Sequence, residues 1–118
     1  MKRDAEILTE FQEATAGLFI MSESDYPFEM IQWDGQISVT PEYLRRISAK
    51  TDDAPILESN LDSFLGANER FGKIFTALKD NLTDIKVYQV GTISIPVYIV
   101  GRSAEGNWLG VSTRLIQT

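Results

Sequence analysis

Three runs of alternating residues fill the last third of the chain: Val87-Tyr-Gln-Val90, Ile93-Ser-Ile-Pro-Val-Tyr-Ile-Val100 and Trp108-Leu-Gly-Val-Ser-Thr-Arg-Leu-Ile116. All three are rich in β-branched residues, which favour strands. Gly91-Thr92 and Ser103-Ala-Glu-Gly-Asn107 separate the runs as turns. The pattern predicts three consecutive antiparallel strands. Pro96 predicts an edge position or a bulge in the second strand, because proline cannot donate to a sheet ladder.

Helical periodicity appears in front of these strands. Residues 4–18 read as an amphipathic helix that buries Ile7, Phe11, Ala14 and Leu18, with Gly17 as its C-terminal cap. Thr40-Pro41 predicts a second helix, since a hydroxyl N-cap precedes a proline. We expect that helix to bury Tyr43, Leu44 and Ile47 and to expose Arg45 and Arg46. A third helix is predicted from residue 69 to about 80, capped by Asn68, with an apolar stripe of Phe71, Ile74, Phe75 and Leu78.

Shorter elements are predicted between the helices. Phe28 to Trp33 alternates like a strand, and Asp34-Gly35 is a strong turn signal after which Ile37 and Val39 are expected to begin a return strand. Ile56 to Glu58 predicts a short strand, and Leu61 to Leu65 a helical turn. The sequence therefore predicts one domain, residues 1–118, of the α/β (α+β) class, with helices packed on a mainly antiparallel sheet.

Composition limits the classes of function. The 118 residues carry a net charge of −6, which argues against direct nucleic-acid binding. The acidity belongs to residues 1–60, with twelve acids and five bases, whereas residues 61–118 hold five acids and six bases. Such asymmetry favours a basic partner. Neither a signal peptide nor a membrane-spanning run is evident, so a cytoplasmic location is expected.

The chain contains neither His nor Cys. This excludes Ser–His and Cys–His nucleophiles and the usual zinc sites, and so removes most catalytic possibilities. Carboxylate chemistry remains as an alternative, because Glu23 and Asp25, or Asp52 and Asp53, could act as an acid/base pair. A hydrolase of this kind would need a deep pocket that pairs two acids of the 23–34 segment.

The stretch from Gly17 to Gly35 is the best candidate for a binding site. An apolar run ends at Ser22, and four carboxylates follow without any Lys or Arg: Glu23, Asp25, Glu29 and Asp34. An acidic loop of this kind suits a partner that normally binds phosphate. Aromatic side chains are expected mostly in the core or on the sheet faces. An interface role is the alternative for Tyr26, which lies within the loop, and for Trp108 beside a turn. The residues alone leave open whether Glu23 and Asp25 bind a partner or only shape the loop.

The C-terminus is a second candidate. Leu115 and Ile116 would keep the last strand in the sheet, so Gln117 and Thr118 should lie near its end. Thr118 offers a hydroxyl and a free carboxylate, which could reach a metal or an arginine of another protein. A frayed chain end is the alternative.

Several motifs resemble the nuclease A inhibitor family, whose members are small acidic inhibitors of sugar-non-specific nucleases. They follow the family's order along most of the chain: Glu6-Ile-Leu8, Gly17-Leu-Phe-Ile-Met-Ser-Glu-Ser-Asp-Tyr-Pro-Phe-Glu29, Trp33-Asp-Gly35, Asp53-Ala-Pro55, Asp62-Ser-Phe64, Asn81-Leu82, Val87-Tyr88, Val97-Tyr98, Gly106-Asn-Trp-Leu-Gly-Val-Ser-Thr113 and Thr118. The string from Met21 to Glu29 is the most specific of them.

The resemblance implies an α-β-α sandwich and a protein that blocks the active site of a Mg²⁺-dependent, sugar-non-specific DNA/RNA endonuclease. It implies that Glu23 faces the nuclease's arginines and that Thr118 approaches its Mg²⁺, directly or through water. Ser22, Ser24 and Asp25 would support the loop, with Tyr26 and Gln117 beside these contacts. The resemblance also implies a protein that is not an enzyme and has no cofactor of its own. We expect a monomer that forms a 1:1 complex with the nuclease.

One segment departs from the family's pattern. The family carries a longer, Trp-containing acidic segment before the long helix, whereas Gly66-Ala-Asn-Glu69 makes this connection directly here. The alternative is therefore a protein-interaction domain of the same fold without nuclease-inhibiting activity.

Overall fold

A computed structural model of the chain describes residues 3–17, 19–20, 26–51, 53–66 and 69–116. Four α-helices lie within these ranges: α1 (Asp4–Thr15), α2 (Pro41–Ile47), α3 (Leu61–Leu65) and α4 (Gly72–Asn81). Seven strands accompany them: β1 (Phe19–Ile20), β2 (Tyr26–Pro27), β3 (Glu29–Trp33), β4 (Ile56–Ser59), β5 (Thr83–Val90), β6 (Ser94–Arg102) and β7 (Trp108–Ile116). A 3₁₀ turn, Glu69–Phe71, leads into α4.

The strands form one large sheet and one hairpin. The five-stranded sheet has the order β3-β7-β6-β5-β4, and every neighbouring pair is antiparallel. β5, β6 and β7 are the three consecutive antiparallel strands that the sequence predicts. β1 and β2 pair separately as a two-stranded hairpin.

Helices cover both faces of the sheet, because its strands are apolar on both sides. The main core joins α1, α3 and α4 to one face of the sheet through Ile7, Phe11, Leu78, Val97 and Val111. A smaller cluster forms on the opposite face, where Leu44 of α2 packs with Val90, Tyr98 and Trp33. The result is the predicted α+β architecture, with the sheet between two helical layers.

Local signals place the helices as predicted. Gly17, just beyond α1, has a φ of +76°, the left-handed conformation expected after a helix end. Thr40 Oγ1 accepts a hydrogen bond from the Tyr43 backbone N–H at 3.1 Å, so Thr40 caps α2. Two side chains of α2 differ from the prediction. Ile47 is 39% exposed rather than buried, and Arg45 is half-buried rather than exposed, because its Nε donates to the Ala54 carbonyl at 2.8 Å. Leu18 and Asn68 lie outside the described residues.

The predicted return strand at Ile37 and Val39 is wrong. The Ile37 N–H donates to Asp34 O at 3.0 Å, which closes a turn, and the Ile37 carbonyl accepts from Trp108 Nε1 at 2.9 Å. These bonds direct the chain across the sheet face to α2 instead of back along β3.

Pro96 lies in a central strand, and the pairing explains how it fits. β6 pairs with β5 from Arg102 to Val97, and with β7 as far as Ser94. Pro96 therefore stands in the stretch of β6 that is paired with β7 alone. It is an edge position only on the β5 side.

Candidate partner-binding site

The β1–β2 hairpin carries the predicted acidic loop. Phe19 pairs with Pro27 and Ile20 pairs with Tyr26, so the chain leaves and re-enters this small sheet at one pair of residues. Residues 21–25 connect the two strands. Glu23, Ser24 and Asp25 lie outside the described residues, as does the side chain of Tyr26.

The hairpin stands beside the end of the last strand. β1 and β2 both contact β7, and β2 leads into β3, which pairs with β7 from Glu29↔Ser112 onwards. β7 ends at Ile116, and the predicted contacts Gln117 and Thr118 lie beyond the described residues. The structure therefore brings the attachment points of both predicted contact segments to one end of the sheet, which we call the hairpin end.

A groove of about 340 Å³ lies at the hairpin end, on the α2 face of the sheet. Two transverse rows of side chains form it. Glu29, Ser112 and Tyr98 are aligned across β3, β7 and β6, and the next row aligns Arg114 of β7 with Pro96 of β6. Pro27 of the hairpin completes the lining, so we call this the outer groove.

The outer groove has a fixed wall on the β6 side. Ser48 at the end of α2 donates to the Leu44 carbonyl at 2.7 Å, so the Tyr98 hydroxyl, 2.8 Å away, is the donor to Ser48 Oγ. Lys50 Nζ donates to the Ser94 carbonyl at 2.7 Å. Arg114 Nη1 donates to the Ser94 hydroxyl, which holds the guanidinium over β6.

The other wall of the outer groove is open and acidic. Glu29 belongs to β3, an edge strand of the large sheet, and its side chain is exposed. Its carboxylate makes no ion pair or hydrogen bond with another described residue. A second hollow lies between the end of α1 and the hairpin and is bordered by Gln12, Thr15 and Met30. Pro27 and Glu29 line both hollows.

The opposite end of the sheet is closed by hydrogen bonds, and we call it the closed end. Asn107 joins two distant segments: its Oδ1 accepts from the Gly35 N–H at 3.0 Å and its Nδ2 donates to Asp4 Oδ2 at 2.8 Å. Arg102 Nη1 donates to the carbonyls of Gly35 and Gly106 at 2.7 and 2.8 Å. The Asp34-Gly35 turn, the start of α1 and the β6–β7 turn are thereby joined.

Trp108 belongs to the closed end. Its Nε1 donates to Ile37 O, and the Arg102 guanidinium lies 3.8 Å from the centre of its ring. A cation at that distance over an indole is attracted to the ring face. Trp108 therefore joins the turn to the sheet, so the structure gives it a role in the fold.

Asp4 is the one buried carboxylate of this network, with 4% of its surface exposed. Burial by itself would raise the pKa of Asp4, but the neighbouring Asn107, Ser103 and Glu105 side chains together lower it. Asp4 Oδ1 and Ser103 Oγ are both buried without a hydrogen bond of good geometry to a described residue, so the hydroxyl acts here as a nearby dipole. The carboxylate stays charged because the amide of Asn107 bonds it directly.

The described residues do not form a carboxylate active site. Glu29 and Asp34 stand at opposite ends of β3, roughly 16 Å apart at the rise of a strand, and both are exposed. Asp53 accepts a hydrogen bond from the Thr51 hydroxyl, which lowers the pKa of this exposed carboxyl. No group of three acids that could hold a metal ion occurs among the described residues.

These features define a class of protein: an acidic α+β domain whose described surface offers grooves and a hairpin for contact with a partner. Within the described residues, the helices are too short and too polar to cross a membrane. A search of curated proteins finds no match. A family model described as nuclease A inhibitor-like protein matches residues 5–70 and 66–118.

The chain belongs to the family of nuclease A inhibitor-like proteins. Membership indicates a nuclease inhibitor in general terms, and hence a nuclease as protein partner. The two matched parts overlap at residues 66–70, which include the connection between α3 and the turn before α4.

Proposed function

We propose that this protein inhibits a Mg²⁺-dependent, sugar-non-specific DNA/RNA endonuclease by occluding its active site with the acidic loop and the C-terminal Thr118. The observation that carries the proposal is the shared position of the two segments' attachment points at the hairpin end. A loop and a chain terminus that leave one end of a rigid sheet can enter a single cleft together.

Glu23 supplies the charge of the first contact. A nuclease cleft holds Arg side chains and a divalent cation to bind phosphate and to stabilise developing negative charge. A carboxylate can replace phosphate at an arginine through charge-assisted, bidentate hydrogen bonds. Ser24, Asp25 and Tyr26 surround Glu23 in the sequence and would shape the loop that presents it.

Thr118 supplies the second contact, supported by Gln117. Its hydroxyl or its terminal carboxylate would take a coordination position on the nuclease's Mg²⁺ or hold a metal-bound water. The inhibitor then needs no metal or cofactor of its own. The excess of acids in residues 1–60 would speed association with a basic cleft.

We expect the inhibitor to act as a monomer in a 1:1 complex in the cytoplasm, without binding nucleic acid itself. One observation favours a second function. The two parts of the family match meet where the chain is shorter than the family's pattern, so a contact made by the missing Trp-containing segment would be lost. The second candidate is a protein-interaction domain of the same fold that does not inhibit nucleases.

Titration into a Mg²⁺-dependent, sugar-non-specific nuclease cleaving plasmid DNA tests the proposal. Stoichiometric loss of cleavage is expected for the wild-type chain. Deletion of Thr118 should relieve the inhibition while the melting temperature stays nearly unchanged.

A panel of such nucleases separates the two functions. A folded wild-type chain that inhibits no member of the panel would favour the interaction domain. Equal inhibition by the wild-type and Thr118-deleted chains would remove the C-terminal contact but keep the inhibitor. A large fall in melting temperature on deletion would instead make Thr118 a structural residue.

A further inference from the structure

The two proposed contact segments are too small to form a stable interface alone. Residues 21–25 and 117–118 number seven, whereas a specific protein–protein interface engages about 20–30 residues and about 800 Å² on each partner. An inhibitor that binds through the hairpin end must therefore use the surface next to these segments as well.

Two hollows lined by described residues adjoin the hairpin, and their positions differ. The hollow beside α1 borders the hairpin through Pro27 and also reaches Glu29, but none of its lining residues belongs to β7. The outer groove borders both attachment points, because Pro27 lies in β2 and Arg114 lies two residues before the end of β7. A partner that contacts the loop and the terminus together passes over the outer groove.

We propose that the outer groove is part of the nuclease-binding surface and that Glu29 binds a lysine or arginine of the nuclease there. The inference rests on the proposed function and adds a third contact to Glu23 and Thr118. It also places the interface on the α2 face of the sheet.

The chemistry of the groove specifies what it binds. Glu29 is an exposed carboxylate on an edge strand, ready to accept charge-assisted hydrogen bonds from a cation. Pro27 and Pro96 give apolar sides, and the Ser112 hydroxyl lies in the same row as Glu29. Arg114 is held by Ser94 through one nitrogen, and its guanidinium has further N–H donors that suit a carbonyl oxygen.

This set of groups fits an extended segment of the nuclease. The cation of the segment would contact Glu29, and a backbone carbonyl would contact Arg114 on the other side. The groove walls need not move for this, because Tyr98 is bonded to Ser48 and Lys50 is bonded to the Ser94 carbonyl. A surface that is already ordered loses less conformational entropy on binding.

Charge reversal at Glu29 tests the inference in the same nuclease titration. Glu29→Lys should raise the concentration needed for half-inhibition at least tenfold, with an unchanged melting temperature. Asp80→Lys is the matched control. It makes the same change in net charge on α4, next to Thr83, which pairs with Arg102 at the closed end. Less than a twofold change is expected for the control.

A second pair of variants tests the groove by shape. Ser112→Trp would fill its floor and should abolish tight inhibition, whereas Ser112→Ala leaves it open and should inhibit like the wild type. The melting temperature shows whether Ser112→Trp has kept its fold. If it has not, the Glu29→Lys titration alone decides whether the outer groove lies in the interface.

The outcomes separate this inference from the proposed function. If the wild type inhibits and Glu29→Lys behaves like Asp80→Lys, the outer groove is not in the interface, while the inhibitor function stands. If the wild type inhibits no nuclease of the panel, the proposed function fails and the inference fails with it.

Discussion

The two ends of the sheet are built differently. At the closed end, Asn107 and Arg102 connect α1, the Asp34-Gly35 turn and the β6–β7 turn by hydrogen bonds between residues far apart in sequence. At the hairpin end, β1 and β2 form only two residue pairs, and Glu29 points its charge into water. One end holds the chain together, and the other end carries the groups that we propose to contact a partner.

The difference between the closed end and the hairpin end divides the family's motifs by role. Trp33-Asp-Gly35 and Gly106-Asn-Trp108 lie at the closed end, and their contacts are internal. The Met21–Glu29 string spans the loop and the hairpin. Family membership therefore draws on residues that stabilise the scaffold as well as on those that we propose to bind, so a shared motif is not in itself a contact.

The largest expected effect belongs to the hairpin end. Glu23→Ala should weaken binding to the nuclease by about 2–5 kcal/mol, the range for removing one partner of a buried charge pair. The free energy of unfolding should not change, because we propose that Glu23 contacts the nuclease and not the rest of the chain. Calorimetric titration measures the affinity, with Asp80→Ala as a control that removes an exposed carboxylate elsewhere. Unchanged affinity would remove Glu23 from the site.

Asn107→Ala should have the opposite effect to Glu23→Ala: it should lower the stability of the fold and leave the affinity for the nuclease unchanged. It leaves the Asp4 carboxylate and the Gly35 N–H without their amide partner, and losing one charged and one neutral hydrogen bond costs about 2–4 kcal/mol. Urea unfolding measures this loss. Affinity for the nuclease, measured well below the melting temperature, should match the wild type. A variant that stayed stable but bound weakly would contradict the division between the two ends.

Gly35→Ala should destabilise the closed end by sterics. An added Cβ would stand 2.2 Å from the Gly106 carbonyl oxygen, so backbone on both sides would have to shift. Overpacking of this kind costs about 1–3 kcal/mol. Gly72→Ala is the control, since a Cβ there meets nothing within 4 Å and the site begins a helix. Equal stability of the two variants would show that the turn can relax.

Periodicity predicted most of the fold because most of its elements bury one regular face. Periodicity failed where hydrogen bonds between residues far apart in sequence determine the path of the chain. Ile37 lies in a stretch that alternates like a strand, but the indole N–H of Trp108, 71 positions later, donates a hydrogen bond to the Ile37 carbonyl. The first residues of β5 were missed because the strand is irregular between Thr83 and Lys86, where Asp84 adopts a φ of +52° and interrupts the alternation.

The candidate site was predictable only in part. Glu23 and Thr118 were candidates from the residues alone, and the resemblance assigned their roles. The hairpin that carries the loop has strands of two residues, too short to leave a periodic signal. The outer groove could not be read from the sequence at all. Glu29, Ser112 and Tyr98 become neighbours only through the register of three strands, and that register depends on pairing between residues 83 positions apart.

The smallest expected effect is a pH dependence at the closed end. The folded-state pKa of Asp4 lies below its ordinary value of 3.8, so its carboxylate contributes stability that is present above that pH. The contribution is lost as the pH falls through the lower, folded-state pKa. Asp4→Asn should therefore lose less stability between pH 7 and pH 3 than the wild type.

Unfolding in urea at both pH values measures the difference, with Asp80→Asn as a control that removes an exposed carboxylate from α4. An Asp4→Asn variant with the full wild-type loss would mean that the hydrogen bond from Asn107 adds nothing to the charged form. The closed end would then be held by its neutral bonds and by packing. Nuclease binding at neutral pH should not respond to Asp4→Asn, because Asp4 lies at the end of the sheet opposite to the hairpin.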